Sequence, residues 1–152
     1  MNILSDEVVR FFHRSTFTVV STIDSSGRIH NSCKGVVDID ESGKVYLLDL
    51  YKARTYQNLG ANDSLSVTVI DEHKFKGYCL IGKAKITQVN DLKGHIIEAW
   101  EKKITDRISK RIVKNIKGEK GHPRHPESQL PTPEYLIEMD VERIVDLTPN
   151  QI

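Results

Sequence analysis

Long apolar runs are missing from this 152-residue sequence, and nothing in it approaches the ~20 residues that a helical membrane span requires. Cysteine is scarce. Cys33 and Cys79 are the only two, too few for a disulfide framework and not spaced as a metal cluster, so a reducing, cytoplasmic setting is expected. Neither sign of charge is in excess: 22 Lys and Arg stand against 21 Asp and Glu. That balance argues against a whole-protein basic field for nucleic acid or an anionic membrane. The opening MNILSDEVVRFFHR carries acids early and has no basic flank, unlike a secretory leader. Proline is rare except in one stretch, since four of the five fall between 118 and 133. What remains is 38% apolar and 28% charged, the composition of one globular domain spanning 1–152.

The pattern along the chain is mainly β with inserted helices. Ser5 is placed to cap a first short helix, with Asp6 and Glu7 at its positive end and Leu4, Val8, Phe11 and Phe12 on one face. The β-branched run Thr16–Ile23 ends at the turn signal Asp24-Ser25-Ser26-Gly27, a second strand covers Arg28–Ile39, and a third covers Lys44–Leu50. A short helix over Lys52–Asn62 follows, then strands at Ser64–Ile70 and Gly77–Val89. On the latter, Leu80, Gly82, Ala84 and Ile86 form a face small enough for another backbone or a ligand to come close. Asp91–Lys117 reads as the main helix. Its isoleucines are spaced by four, a stripe that drifts around a helix of ~3.6 residues per turn, so a break is expected near Thr105-Asp106. Residues 118–133 form an irregular loop, and Glu134–Leu147 restores strand alternation with Tyr135, Ile137, Met139 and Val141 facing in. Six antiparallel strands of this kind favour a small barrel, whose closure removes exposed edges.

Two segments concentrate polar chemistry. In Asp49-Leu50-Tyr51-Lys52-Ala53-Arg54-Thr55 a strand ends and a helix begins with two cations and a hydroxyl. This suits a phosphate, because free N–H groups and charge-assisted donors converge there; a surface helix with solvated cations is the plainer alternative. In Arg28–Gly35, polar residues occupy both faces of one strand: His30, Ser32 and Lys34 on one, Asn31 and Cys33 on the other. Such a strand either lines a polar pocket or lies at a solvated edge.

Taken in order, VSTIDSSGRIHNSCKG, KVYLLDLYKARTYQNLGANDSLSVTV, GYCLIGKAKI and YLIEMDVERIVDLTP resemble the pyridoxamine 5′-phosphate oxidase-like family of FMN-binding split β-barrel proteins. The resemblance covers about Asp6 to Pro149. It implies a six-stranded antiparallel split barrel that forms a homodimer, with FMN at the subunit interface. It further implies that Arg54 and Thr55 hold the FMN phosphate, with Lys52 as a second cation and Asn58 as the motif's asparagine. Asn31, Ser32, Cys33 and Lys34 are implied to reach the flavin ring or ribityl chain, and Leu48, Asp49 and Leu50 to pass that chain with their backbone. Relatives use F420 or haem instead, and these are the less favoured cofactors. After Thr148 the sequence has no Arg-rich substrate motif, so vitamin B6 oxidation is not the expected reaction.

The expected activity is a small FMN-dependent oxidoreductase exchanging hydride or electrons with a small-molecule donor or acceptor. Lys34 is the best catalytic candidate, and no general acid is assigned. The alternatives are a non-catalytic flavin carrier or redox sensor, and a nucleic-acid module. The last would use residues 101–124, where nine cations stand against three acids; no aromatic platform is interleaved there, and a solvated helix face explains the run as well. His122 and His125 lie in the basic loop without a third ligand at metal spacing, and no metal is expected.

Overall fold

The computed structural model describes residues 2–49, 52–116 and 134–150, with 107–116 described by their backbone. Helix α1 (Asp6–His13) leads into strands β1 (Thr18–Ile23), β2 (Ile29–Ile39) and β3 (Lys44–Leu48). Helix α2 (Arg54–Ala61) separates these from β4 (Ser64–Asp71) and β5 (Lys76–Gln88), and α3 (Gly94–Ile116) precedes β6 (Tyr135–Asp146). All pairings are antiparallel, and the sheet closes in the order β1-β2-β3-β6-β5-β4.

Alternation explains the interior. Leu65, Val67 and Val69 of β4 are buried, as are Ile137, Met139 and Val141 of β6, and they meet Val20, Val36, Val45, Leu47 and Leu80 in one apolar cluster. The two short helices stopper the barrel at opposite ends. Ser5 accepts a hydrogen bond from the Val8 amide at 3.3 Å, and Leu4, Val8 and Phe12 fill the end nearest the β2–β3 turn, where Ile3 and Leu4 amides donate to the Glu41 carbonyl. Leu59 of α2 enters the same cluster from the β1–β2 end.

Gly82 marks the tightest point of closure. A Cβ placed on it would lie 2.0 Å from the Asp140 carbonyl oxygen, beside the register shift between Ile81 and Gly82. The close approach expected on this strand is therefore made by backbone, that of β6.

The outer face of β2, β3 and β6 is also buried, which alternation alone does not indicate. Val37, Tyr46, Leu48 and Leu136 pack beneath Ile96 of α3, with Leu92, Ala99, Trp100 and Ile104 around them. The break expected near Thr105-Asp106 is absent: α3 is one continuous helix. The Thr105 hydroxyl donates to the Glu101 carbonyl at 2.9 Å, the i−4 bond that keeps a threonine inside a helix instead of at its cap.

Farther round the outer face, Glu138 is gripped from both sides. Lys44 Nζ lies 3.0 Å from Glu138 and 2.7 Å from Asp140, and the Thr87 hydroxyl donates to Glu138 at 2.9 Å. Burial acts to raise the Glu138 pKa, but the bonds from Lys44 and Thr87 and the charges of Lys44 and Lys85 outweigh it and hold it below the usual carboxylate range. The stability this contributes is present above the unfolded-state pKa and is lost as pH falls through the lowered folded-state value. Glu138→Gln is expected to cost roughly 1 kcal/mol at neutral pH and to flatten the acid limb of the stability profile below about pH 4. Urea denaturation at several pH values checks this, and an unchanged acid limb would count against the network.

Candidate functional site

The α2 end of the barrel carries a buried polar layer. Val36, Leu47 and Ile137 stand opposite one another on β2, β3 and β6. One alternation step towards the β1–β2 turn, the same face presents Lys34, Asp49 and Tyr135. Asp49 is 2% exposed, and both its carboxylate oxygens are taken: Lys34 Nζ donates to one at 2.6 Å and the Tyr135 hydroxyl to the other at 2.8 Å. Burial pushes the Tyr135 pKa well above its ordinary value, and the bond to Asp49 adds to this, so the phenol stays a donor. Tyr135 also packs edge-to-face with Tyr56 at a ring separation of 5.0 Å. Lys52 lies over both rings and 3.4 Å from Glu134.

Helix α2 is pinned onto this layer by two side-chain bonds. The Thr55 and Ser32 hydroxyls are 2.9 Å apart, and Asn58 Nδ2 donates to the Thr22 hydroxyl at 3.0 Å. The start of the helix is left bare. Ala53 occupies the N-cap and offers no side-chain acceptor, and the first turn contains no acid, so the positive end of α2 is not neutralised from within. Arg54 is exposed there. It lines a cleft of about 430 Å³ together with Gln57, Asn58 and Ala61 of α2 and Asp24, Ser25 and Arg28 of the β1–β2 turn.

The structure therefore brings Ser32, Lys34, Asp49, Thr55 and Asn58 into one cluster under and around α2, with Arg54 and Lys52 at its rim. Strand alternation separates Asn31 and Cys33 from them. Both are exposed on the outer face of β2, where Asn31 accepts from the Ser21 hydroxyl at 2.5 Å and Cys33 stands opposite Val19. The Leu48 side chain is buried beneath α3. Leu50 lies outside the described residues, as does the 118–133 loop with His122 and His125, and the basic run beyond Asp106 is described only by its backbone, as far as Ile116. Two members were not singled out from sequence. Tyr135 reads as an ordinary inward strand residue, and only its hydroxyl at a buried rung signals more. Arg28 reads as the first residue of the second strand, and its place in one cleft with Arg54 follows from the fold alone.

Comparison with known proteins agrees with the fold. A family model described as pyridoxamine 5′-phosphate oxidase matches residues 4–147. No curated protein sequence matches. Among solved structures, HupZ of Group A Streptococcus shares 18% identity at a TM-score of 0.64, covering 96% of this chain and 95% of its own. An FMN-binding protein from Syntrophomonas wolfei shares 11% identity at 0.61, covering 94% and 85%. HutZ, a heme storage protein from Vibrio cholerae, shares 19% identity at 0.55, covering 95% and 94%. At these identities the likeness is one of fold.

Proposed function

The chain belongs to the pyridoxamine 5′-phosphate oxidase family, and from that membership we propose that it is an FMN-binding flavoprotein, a small oxidoreductase that passes hydride or electrons between the flavin and a small-molecule partner. The observation that carries this reading is the bare start of α2. An uncapped helix end without a first-turn acid, flanked by an exposed arginine, suits a phosphate group. The residues present fit such a group: Arg54 supplies a guanidinium fork, and Lys52 lies at the same end of the helix. Thr55 and Asn58 hold the helix in place through Ser32 and Thr22.

When bound, FMN supplies a ring that accepts and releases one or two electrons. The protein's part is to anchor, orient and set the charge around it. Lys34 is the cation proposed to stabilise negative charge on the ring or on an anionic substrate, and Asp49 fixes the direction of its ammonium. A second copy of the chain is proposed to complete the site. Val19, Ile29 and Ile70 lie exposed on the outer face of β1, β2 and β4, and Phe17 is exposed just before β1, apolar surface that a partner copy would cover. The absorption spectrum separates the flavin from a haem, and sedimentation gives the assembly state.

Arg54→Ala is expected to weaken FMN binding roughly tenfold to hundredfold, the effect of one charge-assisted contact, with little change in folding stability because Arg54 is exposed. Fluorescence titration with FMN checks this. Unchanged affinity would remove Arg54 from the phosphate site.

A further inference from the structure

We infer that Arg28 is a further phosphate-binding cation, beside Arg54 and Lys52, and that it makes this site select a phosphorylated flavin over the unphosphorylated one. The inference rests on the flavin reading above and extends it to a residue on a different element.

Three observations carry it. First, Arg28 and Arg54 line the same cleft of about 430 Å³, although they come from the β1–β2 turn and from α2. Second, neither guanidinium takes part in an ion pair among the described residues. Two guanidiniums against the single Asp24 carboxylate leave this concave surface net positive, which favours an anion there. Third, the turn that carries Arg28 is held rigidly. Asp24 Oδ1 accepts from the Ser26 and Arg28 amides at 2.8 and 2.9 Å. The Asp24 amide donates to the Arg28 carbonyl at 2.9 Å, and the Gly27 amide to the Asp24 carbonyl at 3.0 Å. Gly27 adopts the positive φ of 77° that this turn needs. The backbone of Arg28 is thus placed before any ligand arrives, so only its side chain remains to be ordered on binding.

Asp24 is the one acid lining the cleft, and its Oδ1 is committed to the two turn amides. Against that one carboxylate the two guanidiniums leave the cleft net positive, which suits a phosphomonoester of about −1.5 to −2 near neutral pH. Ser25 and Asn58 add neutral polar groups to the same wall. Riboflavin lacks the dianionic group that a pair of guanidiniums would neutralise, so the pair bears chiefly on the phosphate.

The test is a fluorescence titration of the full-length protein with FMN and, separately, with riboflavin. Arg28→Ala is expected to weaken FMN roughly tenfold to hundredfold and to leave riboflavin affinity unchanged; Arg28→Lys recovers part of the loss. Arg28 is exposed, so neither variant threatens folding. FMN affinity within twofold of wild type in Arg28→Ala, or an equal loss for both flavins, overturns the inference. If wild type binds FMN and only Arg54→Ala weakens it, the flavin reading stands and Arg28 is excluded. A wild-type protein that binds neither flavin overturns both.

Discussion

Replacing Asp49 with alanine is expected to destabilise the protein by roughly 3–5 kcal/mol, the usual cost of leaving a buried charge without its partner. Asp49 is almost fully enclosed, and Lys34, whose side chain is 13% exposed, has it as its ion-pair partner. The substitution leaves the ammonium in a poorly solvated place and strips the Tyr135 hydroxyl of its acceptor. Two losses at one point are not independent, so their sum is read from the pair and not from either bond. Removing both charges is expected to be milder. The double variant Asp49→Ala with Lys34→Met should recover at least half of the lost stability, because no charge is then left unpaired. Urea denaturation of the single and double variants measures this. A single variant within about 1 kcal/mol of wild type would mean that Lys34 reaches water without Asp49, and the layer would then not be a rigid floor for a cofactor.

Gly82→Ala is expected to be nearly as severe, for a steric reason. Its Cβ would sit 2.0 Å from the Asp140 carbonyl oxygen, and that atom is backbone in the longest strand pairing of the barrel. Neither partner is able to swing aside as a flexible side chain does. The sheet must separate locally at the register shift, at a cost of roughly 3 kcal/mol or more. Gly60→Ala supplies the control. That position lies within α2 and has open space around it, so alanine should stabilise by about 0.5–1 kcal/mol through helix propensity. If the two glycine variants have the same denaturation midpoint, the barrel does not close as tightly at Gly82 as described.

Local periodicity made the strands legible. Leu65, Val67 and Val69 alternate because β4 buries one face, and Ser5 with its two following acids announces α1. The resemblance to the split-barrel family rests on the same segments, and the closed six-stranded sheet agrees with it. Other features depend on distance that a linear reading cannot measure. Lys34 and Asp49 are 15 residues apart, and they meet because β2 and β3 pair in one register. A slip of one residue would turn them to opposite faces. The continuity of α3 was hidden for a local reason. Thr105 has the same hydroxyl whether it caps a helix or bonds back within one, and tertiary packing decides which. The same limit applies to Asn31 and Cys33. Polarity marked the strand as unusual, yet alternation sends these two away from Ser32 and Lys34, so all four do not share one pocket within a single chain.

The measurement closest to the central claim is the absorption spectrum of the purified full-length protein after incubation with FMN and removal of free ligand, run beside Arg54→Ala. Stoichiometric FMN retained by wild type, with a perturbed flavin spectrum and marked loss in the variant, is the expected result. A colourless wild-type protein that retains no FMN, or equal retention by both proteins, would contradict the assignment of a flavin phosphate to the start of α2.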